Sequence, residues 1–245
     1  MLSDREKLEY DVLTIIRDAN GPMGCGSLAV KLQSLGHSVS EATVGRILRD
    51  LDFAGFTEKA GFRGRKLSAD GQGRLAKLEN KDRRLKWGQE LMAAVQGHTK
   101  EQLLEVLVAR RVIESELAYL AAKNASKLEL ASLKAILDRQ RYMLECGDGA
   151  ATEDVDFHNI IALMSRNRVL AAAIALIRQD TQLSPILEHI RLHVQSLVYV
   201  DHQKIVENIA NGQADEAKAS MVEHINNLIR DVERYWENIE QQQTN

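Results

Sequence analysis

The sequence is poor in residues that interrupt or staple a chain. Two prolines in 245 residues and 4% aromatics leave little of the β-turn punctuation and aromatic surface on which sheets depend. The abundant Ala, Leu, Ile, Glu, Lys and Arg lose little rotamer freedom in a helix, so a mainly α protein is expected. Only two cysteines occur, Cys25 and Cys146, far apart and without CxxC spacing. That argues against a disulfide framework or a thiolate zinc site and points to the reducing cytoplasm. Long apolar runs are also missing: "VLAAAIALI" is too short to cross a bilayer, and the N-terminal "MLSDREKLEYDVL" is charged, so neither export nor membrane insertion is expected. There is no GxGxxG, Walker or GxSxG motif, which removes the usual nucleotide-binding and hydrolase readings.

What is present is divided unevenly. Residues 1–98 hold 16 Lys and Arg against 13 Asp and Glu, a balance of +3, whereas the remainder holds 16 against 22, a balance of −6. Two domains with different partners are expected from this asymmetry and from the length.

The first, residues 1–72, reads as a winged helix. "EKLEYDVLTIIRDA" ends at Asn20-Gly21, "GSLAVKLQSLG" places Leu28, Val30, Leu32 and Leu35 before Gly36, and "SVSEATVGRILRDLDFAGF" starts a new helix at Ser40. Gly36 suits a left-handed cap and Ser40 an N-cap, while Val44, Ile47, Leu48 and Leu51 form one apolar stripe. The opposite face carries Ser40, Thr43, Arg46 and Arg49, side chains able to reach base edges and phosphates, so this is the expected recognition helix. "FTEKAGF" and "KLSADG" then flank Arg63-Gly64-Arg65, as two strands of a wing that would lay Arg63, Arg65 and Lys66 on operator DNA. A protein-binding winged helix is the alternative. This part resembles winged helix-turn-helix repressor domains, and "GFTEKAGFRGRKLSADG" is similar to the wing of the nitrogen-assimilation repressors of methanogens. Residues 73–98, with Leu75, Leu78, Leu85, Leu91 and Val95 among mixed charges, are expected to form a solvent-washed linking helix that exits at Gly97 and His98.

Residues 99–240 read as six or seven helices joined by short loops, an antiparallel bundle. In "EDVDFHNII" Asp154 and His158 are one turn apart on one helical face, at chelating separation. In "HQKIVENIANGQADEAKASMVEH", residues 202–224, a single helix would hold the two terminal histidines about 33 Å apart. However, Asn211-Gly212 is a helix stop and Ala214-Asp215-Glu216 an acidic first turn. Gln213 lies 11 residues from each histidine, so in an αα-hairpin His202 and His224 face each other. With Asp154 and His158 they would make a three-histidine, one-carboxylate set suited to zinc, with nickel or manganese as alternatives. His189 and His193 form a rival pair at the same spacing.

These residues resemble a known family. "LLEVLVARRVIESELAYLAA", "DVDFHNIIALMSRN" and the 202–224 segment are similar, in order and spacing, to the FCD ligand-binding domain of the FadR subfamily of GntR-type transcriptional regulators. The resemblance implies a helical bundle that holds a divalent metal on Asp154, His158, His202 and His224. It leaves His189 and His193 as effector contacts, adds Arg110 as a pocket arginine facing a small organic acid, and places Asn167 at a helix start, near the cavity. "SVSEATVGRILRDLDFAGF" departs from the family's recognition-helix signature, so its DNA-reading residues do not transfer. The expectation is a cytoplasmic, homodimeric, metal-containing, effector-responsive regulator of transcription. A metal sensor with the ion as signal, and a metal-dependent hydrolase, are the alternatives.

Overall fold

A computed structural model of the chain describes residues 2–96, 99–178, 183–196 and 198–244. They fall into two compact units, Met1–Leu91 and Met92–Asn245.

In the first unit, α1 (Asp4–Arg17), α2 (Cys25–Ser34) and α3 (Glu41–Phe53) precede a two-stranded antiparallel hairpin, β1 (Thr57–Lys59) and β2 (Arg65–Leu67). Each start is locally encoded. Ser3 and Glu6 make a reciprocal capping box on α1, and the Ser40 hydroxyl accepts the Thr43 N–H to cap α3, each satisfying an amide that the helix leaves unpaired. Gly36 has φ +89°, the left-handed conformation expected between α2 and α3. Val12, Leu13, Ile16, Leu28, Leu32, Val44, Leu48 and Leu51 form the core. Val30 and Leu35, read as part of the α2 stripe, are exposed, because α2 stops at Ser34 and Val30 lies off the face set by Leu28 and Leu32.

The hairpin is shorter than the sequence predicts. A single 3₁₀ turn, Gly61–Arg63, occupies the expected strand end, and β2 ends at Leu67 so that "SADG" can open α4 (Ala69–Val95). Gly71 makes that opening possible: a Cβ there would lie 2.0 Å from the Phe56 carbonyl oxygen. α4 is therefore not solvent-washed from its start. Leu75 and Leu78 are buried in the first core, and Val95, at the far end, belongs to the second. Gly97 and His98, the expected exit, lie outside the described residues.

The second unit contains α5 (Lys100–Asn124), α6 (Lys127–Glu145), α7 (Ala151–Met164), α8 (Arg168–Ile177), α9 (Leu183–Val194), α10 (Val198–Ala210) and α11 (Ala214–Thr244). Capping boxes at Thr99–Gln102 and Ser126–Glu129 begin α5 and α6, and Asn167 caps α8 by accepting from Val169 and Leu170. α11 packs along α5 and against α9 and α10, and α7 packs between α5 and α6. Gly212, at φ +70°, turns α10 back into α11. Among the described residues no helix is long and apolar enough to cross a membrane.

Candidate functional site

α7, α10 and α11 deliver Asp154 and His158, His202, and His224 to one buried point. His202 Nε2 lies 3.4 Å from His224 Nε2, and Asp154 Oδ1 lies 3.8 Å from His158 Nε2 and 3.7 Å from His202 Nε2. The three histidines present ring nitrogens within 4.8 Å of one another. The 202–224 hairpin accounts for half of this, since Gly212 folds the chain so that residues equidistant from Gln213 stand level.

The other nitrogen of each ring faces an oxygen behind it. His202 Nδ1 donates to Gln140 Oε1 at 2.7 Å, His158 Nδ1 meets Glu114 Oε2, and His224 Nδ1 lies 3.6 Å from Asp201 Oδ2. Carboxylate and amide oxygens only accept, so the Gln140 bond fixes the His202 proton on Nδ1 and leaves its Nε2 lone pair facing inward, while Glu114 and Asp201 favour the same tautomer of His158 and His224 without closing a hydrogen bond to either ring. Phe157 stacks on His202 at 3.9 Å and meets His158 edge-on, which fixes the ring planes. Asp154 Oδ1, Glu114 Oε2, both ring nitrogens of His158 and His224 Nδ1 have no hydrogen-bond partner although all are buried. Four inward-facing acceptors without a donor among them suit a cation. A tetrahedral zinc site with bonds of about 2.1 Å has ligand–ligand edges of about 3.4 Å, close to the separations here.

Burial pushes the His158 imidazole down to about 4, with Glu114 opposing and Arg178 adding to the fall. Burial and the neighbouring His224 hold His202 well below its ordinary value, and burial lowers His224. For Asp154 burial acts upward, yet His158, Arg178 and Arg191 outweigh it and keep the carboxylate ionised. Neutral imidazoles beside an ionised carboxylate are the protonation states that ligation requires.

A cavity of about 260 Å³ opens beside Asp154, with Arg110, Arg191 and Tyr199 in its wall and Leu144 and Leu187 supplying apolar surface. Arg110 is buried and donates to Glu114 at 2.6 Å. Arg191 lies 3.5 Å from Asp154 Oδ1, and Arg178 reaches Asp154 Oδ2 at 2.9 Å. The remaining expected effector residues stand elsewhere. His189 and His193 are exposed on the outer side of α9, against Tyr235. Asn167 is spent on its cap, and among the described residues none of these three lines the cavity. The reason is helical geometry: His189 and His193 share one face, so Arg191 between them takes nearly the opposite one. Sequence reasoning missed Glu114, Gln140, Arg178, Arg191 and Asp201 as supports of the site. The one local signal was Arg191, two residues from each histidine.

In the first unit Ser40, Arg46, Arg49, Arg63 and Lys66 are exposed and Thr43 is half-buried. Ser40 and Thr43 join hydroxyls at 3.0 Å within the cap, and Arg46 reaches Thr43. Arg65 requires a correction. Its side chain is mostly covered and pairs with Asp52 of α3 at 2.9 Å, and its backbone bridges to Met23; it ties the wing to the domain and is not offered to phosphates.

Comparison with known proteins agrees with this division. The FCD domain model matches residues 105–227, half of the chain, and the ribonuclease R winged-helix domain model matches residues 10–75. The Uxu operon regulator of Haemophilus influenzae is 30% identical over 129 residues, covering 51% of this chain and 48% of that protein. The Exu regulon transcriptional regulator of Escherichia coli is 28% identical over 130 residues, covering 50% and 48%. The chain thus spans about half the length of the curated relatives it matches. A solved Streptococcus agalactiae GntR structure aligns at TM-score 0.47 and 19% identity over 92% of this chain and 98% of that one. With the FCD model spanning the helices that carry the buried cluster, this chain belongs to the FCD-domain family.

Proposed function

We propose that the protein is a DNA-binding transcriptional regulator whose second unit holds a divalent metal, zinc in the first place, on Asp154, His158, His202 and His224. A small organic acid in the adjoining cavity modulates operator binding. The observation that carries the metal is the convergence of Asp154 Oδ1 with three buried imidazoles whose ring nitrogens lie within 4.8 Å of one another, each with an oxygen behind its other nitrogen. Such anchoring orients metal-ligating histidines and raises their basicity. The metal would supply a positive point to which a carboxylate can bind, next to the guanidinium-bearing wall. A cation on Asp154 Oδ1 competes with Arg191 for that oxygen, which frees the guanidinium for the acid.

The regulator reading draws on the relatives named as operon and regulon regulators and on the exposed basic residues of α3 and the wing. The same relatives favour regulation over hydrolysis. The homodimer and the palindromic operator that its two-fold symmetry would demand belong to this proposal, as does action in the cytoplasm. Cavity arginines favour an acid effector over the ion alone as signal.

Metal content after exhaustive dialysis tests the ligand set. Asp154→Asn and His224→Gln should lose a stoichiometric ion that the wild type keeps. Asp156→Asn should keep it, because Asp156 is half-buried and faces Arg139; loss there would reassign the carboxylate. DNA affinity, titrated with salt and then with organic acids in the metal-loaded protein, tests the rest. Affinity that follows metal but ignores acids would favour a metal sensor.

A further inference from the structure

Phe62 stands at the tip of the wing with its ring wholly in water: it is 112% exposed, more open than in an isolated reference peptide. The turn that carries it is held firmly. Ala60 N–H donates to Gly64 O at 2.8 Å, and Met23 and Arg65 exchange backbone hydrogen bonds of 2.8 and 3.0 Å. Gly64, at φ +117°, passes so near Met23 that a Cβ would lie 2.3 Å from its carbonyl carbon. The wing is also clasped to the recognition helix, since Asp52 of α3 accepts from Thr57 at 2.6 Å and from Arg65. An aromatic ring is thus held outward on a rigid support, at a fixed offset from the exposed Arg46 and Arg49.

The surroundings of the ring are cationic. Between residues 57 and 67 the chain carries Lys59, Arg63, Arg65 and Lys66 against Glu58 alone, and Lys59, Arg63 and Lys66 are exposed. A flat apolar group ringed by cations complements a surface with phosphates outside and stacked aromatic faces within. The attachment to α3 makes that surface the one α3 reads. Apolar side chains of this kind enter between base steps from the minor groove and kink the duplex.

We propose that Phe62 is an intercalating wedge: the wing enters the minor groove beside the recognition helix and inserts this ring between two base pairs, with Arg63 and Lys66 on flanking phosphates. This rests on the DNA-binding reading above. It assigns to the wing a part in choosing sequence, because flexible pyrimidine–purine steps unstack most easily.

The test uses the full-length, metal-loaded chain and duplexes that the wild type selects from a random-sequence library, with 2-aminopurine placed in turn through the flanks. Wild type should raise the fluorescence at one base step. Phe62→Ala should bind roughly tenfold or more weakly and lose that rise while keeping its dependence on salt. Phe62→Leu should retain part of both, and Arg63→Ala should keep the rise while lowering the salt slope by about 1. Phe62→Ala binding with wild-type affinity and an intact rise, no rise at any position, or a Phe62 effect confined to self-association or anionic vesicles, would each overturn the wedge alone. If the wild type selects no duplex, the DNA-binding reading fails and the wedge with it.

Discussion

The two units place their charges in opposite ways. In the first, the basic side chains of α3 and the wing tip point into water, and the buried polar residues are few: Asp11, Thr57 and Ser68. In the second, Arg110, Glu114, His158, Arg178, Arg191, His202 and His224 are all buried around one point. Exposed charge costs little and contributes little until a partner arrives. Buried charge must be compensated where it stands, so an atom left without a partner there is costly. Function is therefore sought by exposure in the one unit and by incomplete satisfaction in the other.

The largest effect should come from breaking the buried network. Glu114→Ala removes the shared partner of Arg110, Arg178 and His158, and losing one member of a buried pair costs about 3–5 kcal/mol. Hydrogen exchange should show α5 and α7 opening while α1 to α3 stay protected; equal loss in both units would mean that they do not unfold separately. Gly64→Ala is the converse, since it drives a Cβ into Met23 and should cost about 1–3 kcal/mol of backbone strain, confined to α2 and the wing.

Acid provides a third contrast. In the metal-free protein the His158 imidazole titrates near 4 instead of 6.5, so between those values the unfolded chain binds the extra proton. Stability that is complete above about 6.5 should fall as the pH drops toward 4, and Asp154 and Glu114, both held well below the ordinary carboxylate range, should extend the loss lower still. A Tm that stays flat from pH 7 to 4.5 in the chelated protein would remove the buried-neutral assignment. The smallest effect is expected at Asn167. Asn167→Ala deletes a cap worth about 1 kcal/mol and should leave metal content and acid binding unchanged, as should His189→Gln.

Element order, caps and the level placement of His202 and His224 were legible in the sequence because each depends on local rules: Ser40 and Asn167 cap the amides two or three residues ahead, and Gly212 turns the chain where it stands. The supports of the site were not legible. Gln140 meets His202 across 62 positions and Arg178 meets Asp154 across 24, and no helical periodicity says which helices become neighbours. His189 and His193 misled for a related reason, since imidazole chemistry identifies possible ligands while the helix face decides where they point. Arg65 looked like a phosphate contact until Asp52, 13 positions away, claimed it.

The hairpin between His202 and His224 also constrains inheritance. One residue inserted within either arm would turn every side chain beyond it by about 100° and slide it about 1.5 Å along the axis, and a whole extra turn would restore the facing but not the level. Substitutions can accumulate along both arms, but additions and deletions must come as whole turns matched on both sides of Gln213 or fall elsewhere. The segment acts as a ruler, and descendants that keep the cluster are expected to keep its length even where little of its spelling survives.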